Sequence, residues 1–469
     1  MDTARNKLVI NLLLVATFVV ILNETLMAVA IPRLMHDLQV TADAVQWLTT
    51  AFLLTMSVVI PVTGFLLQRV NTRPVFILAM SLFSFGTLVA AMASDLQVLV
   101  LARIIQASGT AIMFPLLMTT AMTLASPETR GKTMGFITTV ISVAPAIGPT
   151  ISGIILNYLS WRWLFLLVLP ISLGALLLGS RRMQNVTTTH DAALDGLSVV
   201  LSAFAFGGIV YGLSTVGILT TPGTLPAGIW IALGTAFLVI FIFRQLSLQK
   251  TGYPLLDLRT FTSRNFTVSV LLMASMMMAL FGTIILLPIY LQNVLGLNTL
   301  QTGLLLLPGG LLMGLLGPRV GRLYDKVGPI RLLVPGVIVV SVVLWALTLV
   351  SPTTRVAYIL AGHVVMCIGF AFLFTPLFTM SLSSVKASLY SHGSAVIGTL
   401  QQAAGAAGVA LFVALMSARR ARLAAGGVNP LEALSGGIQV GFLCGASISI
   451  FAVVCLAFLR RPESAESAA

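Results

Sequence analysis

Runs of about 20 consecutive apolar residues recur fourteen times along the chain, separated by short polar breaks. That length is what an α-helix needs to cross the hydrocarbon of a bilayer, where each backbone polar group must be satisfied within its own segment. The runs fall near 8–32, 46–67, 73–94, 97–122, 133–157, 162–180, 195–217, 225–244, 267–292, 301–319, 331–351, 355–380, 393–417 and 437–459. The longest gaps, 181–194, 245–266 and 418–436, are too short for a folded soluble domain. Charged residues make up 8% of the chain, against about a quarter in soluble domains. A soluble enzyme, a disulfide-stapled domain and a disordered chain are thereby excluded. The reading is an all-α polytopic membrane protein. Arg5, Lys7 and the run 8–22 before Ala28-Val29-Ala30 have features of a signal peptide, but Glu24 interrupts them. The run reads as a first transmembrane helix.

The net charge is +13, from 26 Lys+Arg against 13 Asp+Glu, yet the basic residues cluster between apolar runs. That is the marking of cytoplasmic loops and not of a nucleic-acid surface. With the N-terminus inside, nineteen basic residues fall on the cytoplasmic side, six fall outside and Arg103 lies within a span. Both termini are therefore expected in the cytoplasm. Arg419, Arg420 and Arg422 fall outside, and no charge argument accounts for them. Cys367, Cys444 and Cys455 lie inside apolar runs and read as packing residues.

The two halves match. Pro61 and Gly64 recur as Pro318 and Gly321, each 257 residues on; Gly148 has Gly405 at that offset, and Pro32 has Pro288 at 256. This predicts a duplication of six helices displaced by eight, with spans 7 and 8 inserted between the copies. The expected organisation is an N-terminal six-helix bundle over 1–180, two inserted helices with their linkers over 181–266, and a C-terminal six-helix bundle over 267–469. Parallel repeats of this kind, with a substrate site near the midplane, are a transporter architecture.

Four stretches carry chemistry. After span 10 the chain reads Gly321-Arg322-Leu323-Tyr324-Asp325-Lys326-Val327-Gly328, where Gly321 permits close helix approach and Asp325 can latch a neighbouring helix end. The matching stretch after span 2 has Gly64, Arg69 and Arg73, with Gln68 in place of the acid and Asn71 in place of the second glycine. Span 4 carries Arg103 and Gln106; a cation there must be paired or line a wet cavity. Span 5 carries Gly148, Pro149 and Gly153, where the glycines flatten a helix face and the proline bends it. Span 1 contains Asn23-Glu24-Thr25.

These stretches resemble the signatures of the major facilitator superfamily, and within it the drug:proton antiporters of fourteen transmembrane helices, including the lincomycin-resistance exporters. The resemblance implies two six-helix bundles plus two inserted helices. It also implies export, and a proton-coupling role for Arg103. The acid of the span 1 signature commonly precedes the threonine by two places; here that place is Asn23, and Glu24 is one residue, or about 100°, further round the helix.

Of the thirteen acidic residues only Glu24 lies well inside a span, which makes it the candidate proton carrier together with Arg103. Asn23, Glu24, Gln106 and Gln292 are the candidate substrate contacts. His363 is the one histidine of four within a span, and it reads as a hydrogen-bonded packing residue. No phosphate-binding loop, metal-ligand cluster or nucleophile elbow is present in the sequence. The chain is therefore expected to be no enzyme, to need no cofactor or metal, and to run on an ion or substrate gradient, which the resemblance implies is a proton gradient. With what the resemblance implies, the reading is a monomeric exporter of amphipathic cationic drugs in a bacterial cytoplasmic membrane. The alternative is a facilitator or symporter for a polar metabolite, which would need more converging hydrogen-bonding groups than the spans offer.

Overall fold

The computed structural model describes residues 3–186, 193–216, 226–251 and 254–459. His190 and the C-terminal Arg460 and Arg461 lie outside the described residues. Among the described residues there are fourteen long helices: α1 (Thr3–Asp37), α2 (Ala42–Arg69), α3 (Thr72–Met92), α4 (Leu96–Leu124), α5 (Arg130–Tyr158), α6 (Arg162–Arg182), α7 (Gly196–Ser214), α8 (Ala227–Thr251), α9 (Arg264–Asn293), α10 (Thr299–Val327), α11 (Ile330–Leu347), α12 (Val356–Ser383), α13 (Tyr390–Ala425) and α14 (Pro430–Leu456). All fourteen are long and apolar enough to cross a membrane. Some of their starts are set by side-chain caps. The Thr41 side chain accepts from Ala44 N–H, Ser263 from Phe266 N–H, and Asn298 forms a capping box with Gln301.

Several helices outrun their apolar spans. The stretch from Gly321 to Val327, expected as a loop, is the last part of α10. Arg419, Arg420 and Arg422 likewise lie on the final turns of α13 and are exposed there, not in a loop.

The chain divides into two compact units. One comprises Met1–Leu124, Val140–Asp257 and Tyr390–Ala403; the other comprises Ala125–Thr139, Leu258–Leu389 and Ala404–Ala469. Inside the first, α1 packs on α4 and α6, α2 on α4, and α3 on α4 and α6. Inside the second, α9 packs on α12 and α14, α10 on α12, and α11 on α12 and α14. The second set is the first with every helix number raised by eight. Polar links repeat as well: Ser84 Oγ donates to Ser172 Oγ (3.1 Å) between α3 and α6, and Ser341 and Ser449 are 2.8 Å apart between α11 and α14. The inserted α7 packs against α8 and against α2 of its own unit.

The register of the repeat is corrected at one place. Three-residue helical turns precede α5 at Pro127–Thr129 and α13 at Ala387–Leu389, 260 residues apart. Gly148 therefore corresponds to Gly408 and not to Gly405. The link between α11 and α12 is longer than that between α3 and α4, which shifts everything after it.

Asp195 caps α7, accepting from Ser198 N–H (3.0 Å), and forms a bidentate ion pair with Arg244 of α8 (2.7 Å for both contacts). The Arg244 guanidinium holds the Asp195 carboxyl well below the usual carboxylate range. Gln245 continues the network, donating to Ser198 Oγ (2.8 Å) and accepting from Leu255 N–H (2.8 Å). The inserted pair is thereby tied to the segment that follows it.

Candidate functional site

Asn23 on α1 and Arg103 and Gln106 on α4 form one buried polar cluster. Arg103 and Gln106 are three residues apart and so share a helix face. Arg103 Nη1 donates to Asn23 Oδ1 (3.1 Å) and to Gln106 Oε1 (3.0 Å), and Gln106 Nε2 donates to Thr87 Oγ1 on α3 (2.8 Å). The Arg103 guanidinium carbon lies 4.0 Å from the centre of the Phe52 ring on α2, a cation–π contact. Arg103 is 2% exposed and Asn23 1%, so this is a cation inside the helix packing, as its depth in the span required.

The cluster is incompletely satisfied. Arg103 Nε and Asn23 Nδ2 are buried donors with no acceptor. Among the described residues no carboxylate lies within 4.0 Å of Arg103. Two amide oxygens and a ring face hold the charge without neutralising it, an arrangement that leaves a buried cation costly.

Glu24 is the residue next to Asn23. It is half-buried, forms no hydrogen bond among the described residues, and has Arg103 as the charged group acting on it through space. Asn23 binds the arginine of α4, while Glu24, about 100° further round α1, makes no hydrogen bond to it. Gln292 does not join the cluster. It is half-buried near the end of α9, in the other unit, and makes no hydrogen bond among the described residues. Phe52 and Thr87 were not anticipated from the sequence. An isolated Phe or Thr in an apolar run carries no signal, since both are ordinary there.

The glycine motifs serve helix crossings. On α5 and α10, Gly131 and Gly135 face Gly321 and Gly317, so closely that a Cβ on any of them would meet the opposing backbone. Thr139 Oγ1 donates to Gly314 O across the same crossing (2.7 Å). Asp325 completes it, accepting from Gly131 N–H (2.7 Å) and Lys132 N–H (2.9 Å). Asp325 thus caps the N-terminus of α5 from another helix, where unpaired amides and the helix dipole favour a carboxylate.

Gly328 ends α10 with φ 80°, a left-handed conformation that suits glycine. Its counterpart Asn71 has φ −60°, so no glycine is required there. Gly64 packs on Ala395 and His392 of α13, both within its own unit. Arg69 is exposed at the end of α2. Arg73 instead grips the end of α6, donating to Ser180 O from Nε (3.1 Å) and Nη2 (2.6 Å).

On α5, Gly148 abuts Thr25 of α1 and Ser152 Oγ donates to Leu26 O (3.0 Å), whereas Gly153 faces open space and Pro149 is exposed. Gly153 therefore does not share the flattened face. It is five residues from Gly148, about 140° round the helix, while Ser152 is four residues on.

Among the described residues no group of three or more His, Cys, Asp or Glu could hold a metal ion. Repeated helix packing, a buried arginine cluster and glycine crossings with a carboxylate cap fit a polytopic membrane transporter. The chain belongs to the Major Facilitator Superfamily, whose family model matches residues 13–409. It is 39% identical to the lincomycin resistance protein LmrB of Listeria monocytogenes, over 96% of both chains. It is 38% identical to LmrB of Bacillus subtilis, over 96% of this chain and 95% of that one. It is also 39% identical to the uncharacterized MFS-type transporter YcnB of Bacillus subtilis, over 97% and 96%. Among solved structures, the human organic anion transporter MFSD10 superposes with a TM-score of 0.69 at 14% identity, over 97% of this chain and 100% of that one, a likeness of fold alone.

Proposed function

We propose that this protein exports amphipathic, cationic drug-like compounds from a bacterial cytoplasm by alternating access, driven by inward movement of protons. Both termini lie in the cytoplasm, and the working unit is the monomer, with no cofactor. The observation that carries the reading is Glu24: a carboxylate within a membrane-spanning helix, with no hydrogen bond among the described residues and next to the incompletely satisfied Arg103 cluster. A carboxylate there is costly to ionise, so it holds a proton readily and gives it up when a cation approaches. Proton and cationic substrate then compete for one group. Identity to two lincomycin resistance proteins supports export of drugs as the direction and class.

The test is efflux of a cationic dye from energised cells, with and without a protonophore. Wild-type protein lowers dye accumulation, the protonophore removes that effect, and Glu24→Gln abolishes uphill efflux while the protein still reaches the membrane. A Glu24→Gln variant pumping at the wild-type rate would refute the assignment. Efflux indifferent to the protonophore favours a facilitator.

A further inference from the structure

Helices α4 and α12 occupy equivalent places in the two repeats, beginning at Leu96 and Val356, 260 residues apart. At the same offset Gly109 is pressed against Ala79 and Phe83 of α3, and Gly369 against Val340 and Gly336 of α11. This register sets His363 at the position of Arg103. Helices α2 and α10 are offset by 257, as their caps Thr41 and Asn298 show, which sets Gly309 at the position of Phe52.

The contact between these two positions is made in both halves. Arg103 stacks over the Phe52 ring, and the His363 ring lies against Gly309, where a Cβ would come within 2.6 Å of Cδ2 and 2.7 Å of Nε2. The absence of a side chain at Gly309 is what seats the imidazole. The second repeat thus carries a titratable base where the first carries a permanent cation.

His363 is half-buried. Its Nε2 is 3.1 Å from Leu306 O, an acceptor, so Nε2 bears the hydrogen and Nδ1 is the nitrogen that takes up a proton. Cys367 Sγ stands 3.6 Å from Nε2 and 4.0 Å from Nδ1, a weak partner to either. On the helices packed against α12, the other titratable or charged groups stand in the outer turns: Arg264 and Tyr290 on α9, Arg319 to Lys326 on α10, Arg331 on α11, and Tyr358 on α12 itself. None of these is a carboxylate near His363, since Asp325 lies four turns along α10 from Gly309.

We propose that His363 is a second proton-carrying residue of the transport cycle, binding a proton at Nδ1 in addition to the one carried by Glu24. This rests on the proton-coupled reading above and adds a stoichiometry to it. Export of a monovalent cation against one proton is electroneutral, whereas against two protons it moves one net positive charge inward. An inside-negative potential of about 60 mV then raises the attainable gradient by roughly tenfold.

The experiment uses proteoliposomes and a permanently monovalent cationic dye, with the pH gradient and the membrane potential imposed separately. Wild-type protein responds to both. His363→Gln, whose amide can still donate to Leu306 O, and Gly309→Ala, which displaces the ring, keep the response to the pH gradient and lose the roughly tenfold response to potential. Wild-type transport that follows the pH gradient but ignores the potential overturns the proposal, whatever the variants do. A His363→Gln protein that remains potential-driven overturns it too. Wild-type transport with no response to the pH gradient instead refutes the underlying antiport reading.

Discussion

The carboxylate of Asp325 on α10 accepts the backbone N–H of Gly131 on α5 at 2.7 Å, and that of Lys132 at 2.9 Å with its other oxygen. The latch expected from the charged motif is therefore a carboxylate on a helix N-terminus. Asp325→Asn turns one of the two accepting atoms into a donor facing an N–H. It should cost the closed crossing about 1–2 kcal/mol, or roughly tenfold in its population. Transport should fall far more than for Gln68→Ala, measured side by side; equal losses would reduce Asp325 to a surface residue.

The glycine faces give a paired prediction. Gly317→Ala and Gly148→Ala each drive a methyl into an opposing helix, against Gly135 O and the Thr25 side chain. Both should lower transport and thermal stability, by about 1–3 kcal/mol if the helices are forced apart. Gly153→Ala meets open space and should be neutral or slightly stabilising, since alanine is the better helix former. Similar melting temperatures for all three variants would count against the crossings.

Asp195→Ala removes the cap of α7 and the ion pair with Arg244, and should cost about 1–2 kcal/mol. Because the folded carboxyl is held below its ordinary value, the contribution is present above about pH 4 and is lost as pH falls through the folded value. The gap in melting temperature between wild type and variant should stay constant from about pH 5 to 8 and close only below about pH 4. A gap that varied near neutrality would assign the effect to another group.

Orientation is tested by labelling in a background lacking Cys367, Cys444 and Cys455. Ala421→Cys, exposed near the end of α13, should react with an impermeant thiol reagent added to intact cells. Phe261→Cys, exposed before α9, should react only after the membrane is opened. The reverse pattern would invert the topology despite the bias in basic residues.

Hydropathy alone determined the fourteen spans, because a bilayer imposes its thickness on each helix independently of the others. The sequence likewise marked Arg103 and Asn23, since a charge or amide in an apolar run must have a reason to be there, and the charged stretch Gly321–Gly328 marked Asp325. Tertiary structure decided what those groups meet. The partner of Asp325 is a pair of backbone amides, which no side-chain pattern advertises. Phe52 lies beneath Arg103 although nothing distinguishes it from other aromatic residues in spans. The repeat register also needed the fold: glycines are frequent enough that Gly405 matched Gly148 by offset, while the helical turns before α5 and α13 show Gly408 to be the counterpart. Loop lengths between helices are free to differ, so sequence offset drifts, whereas the packing of one helix on another does not.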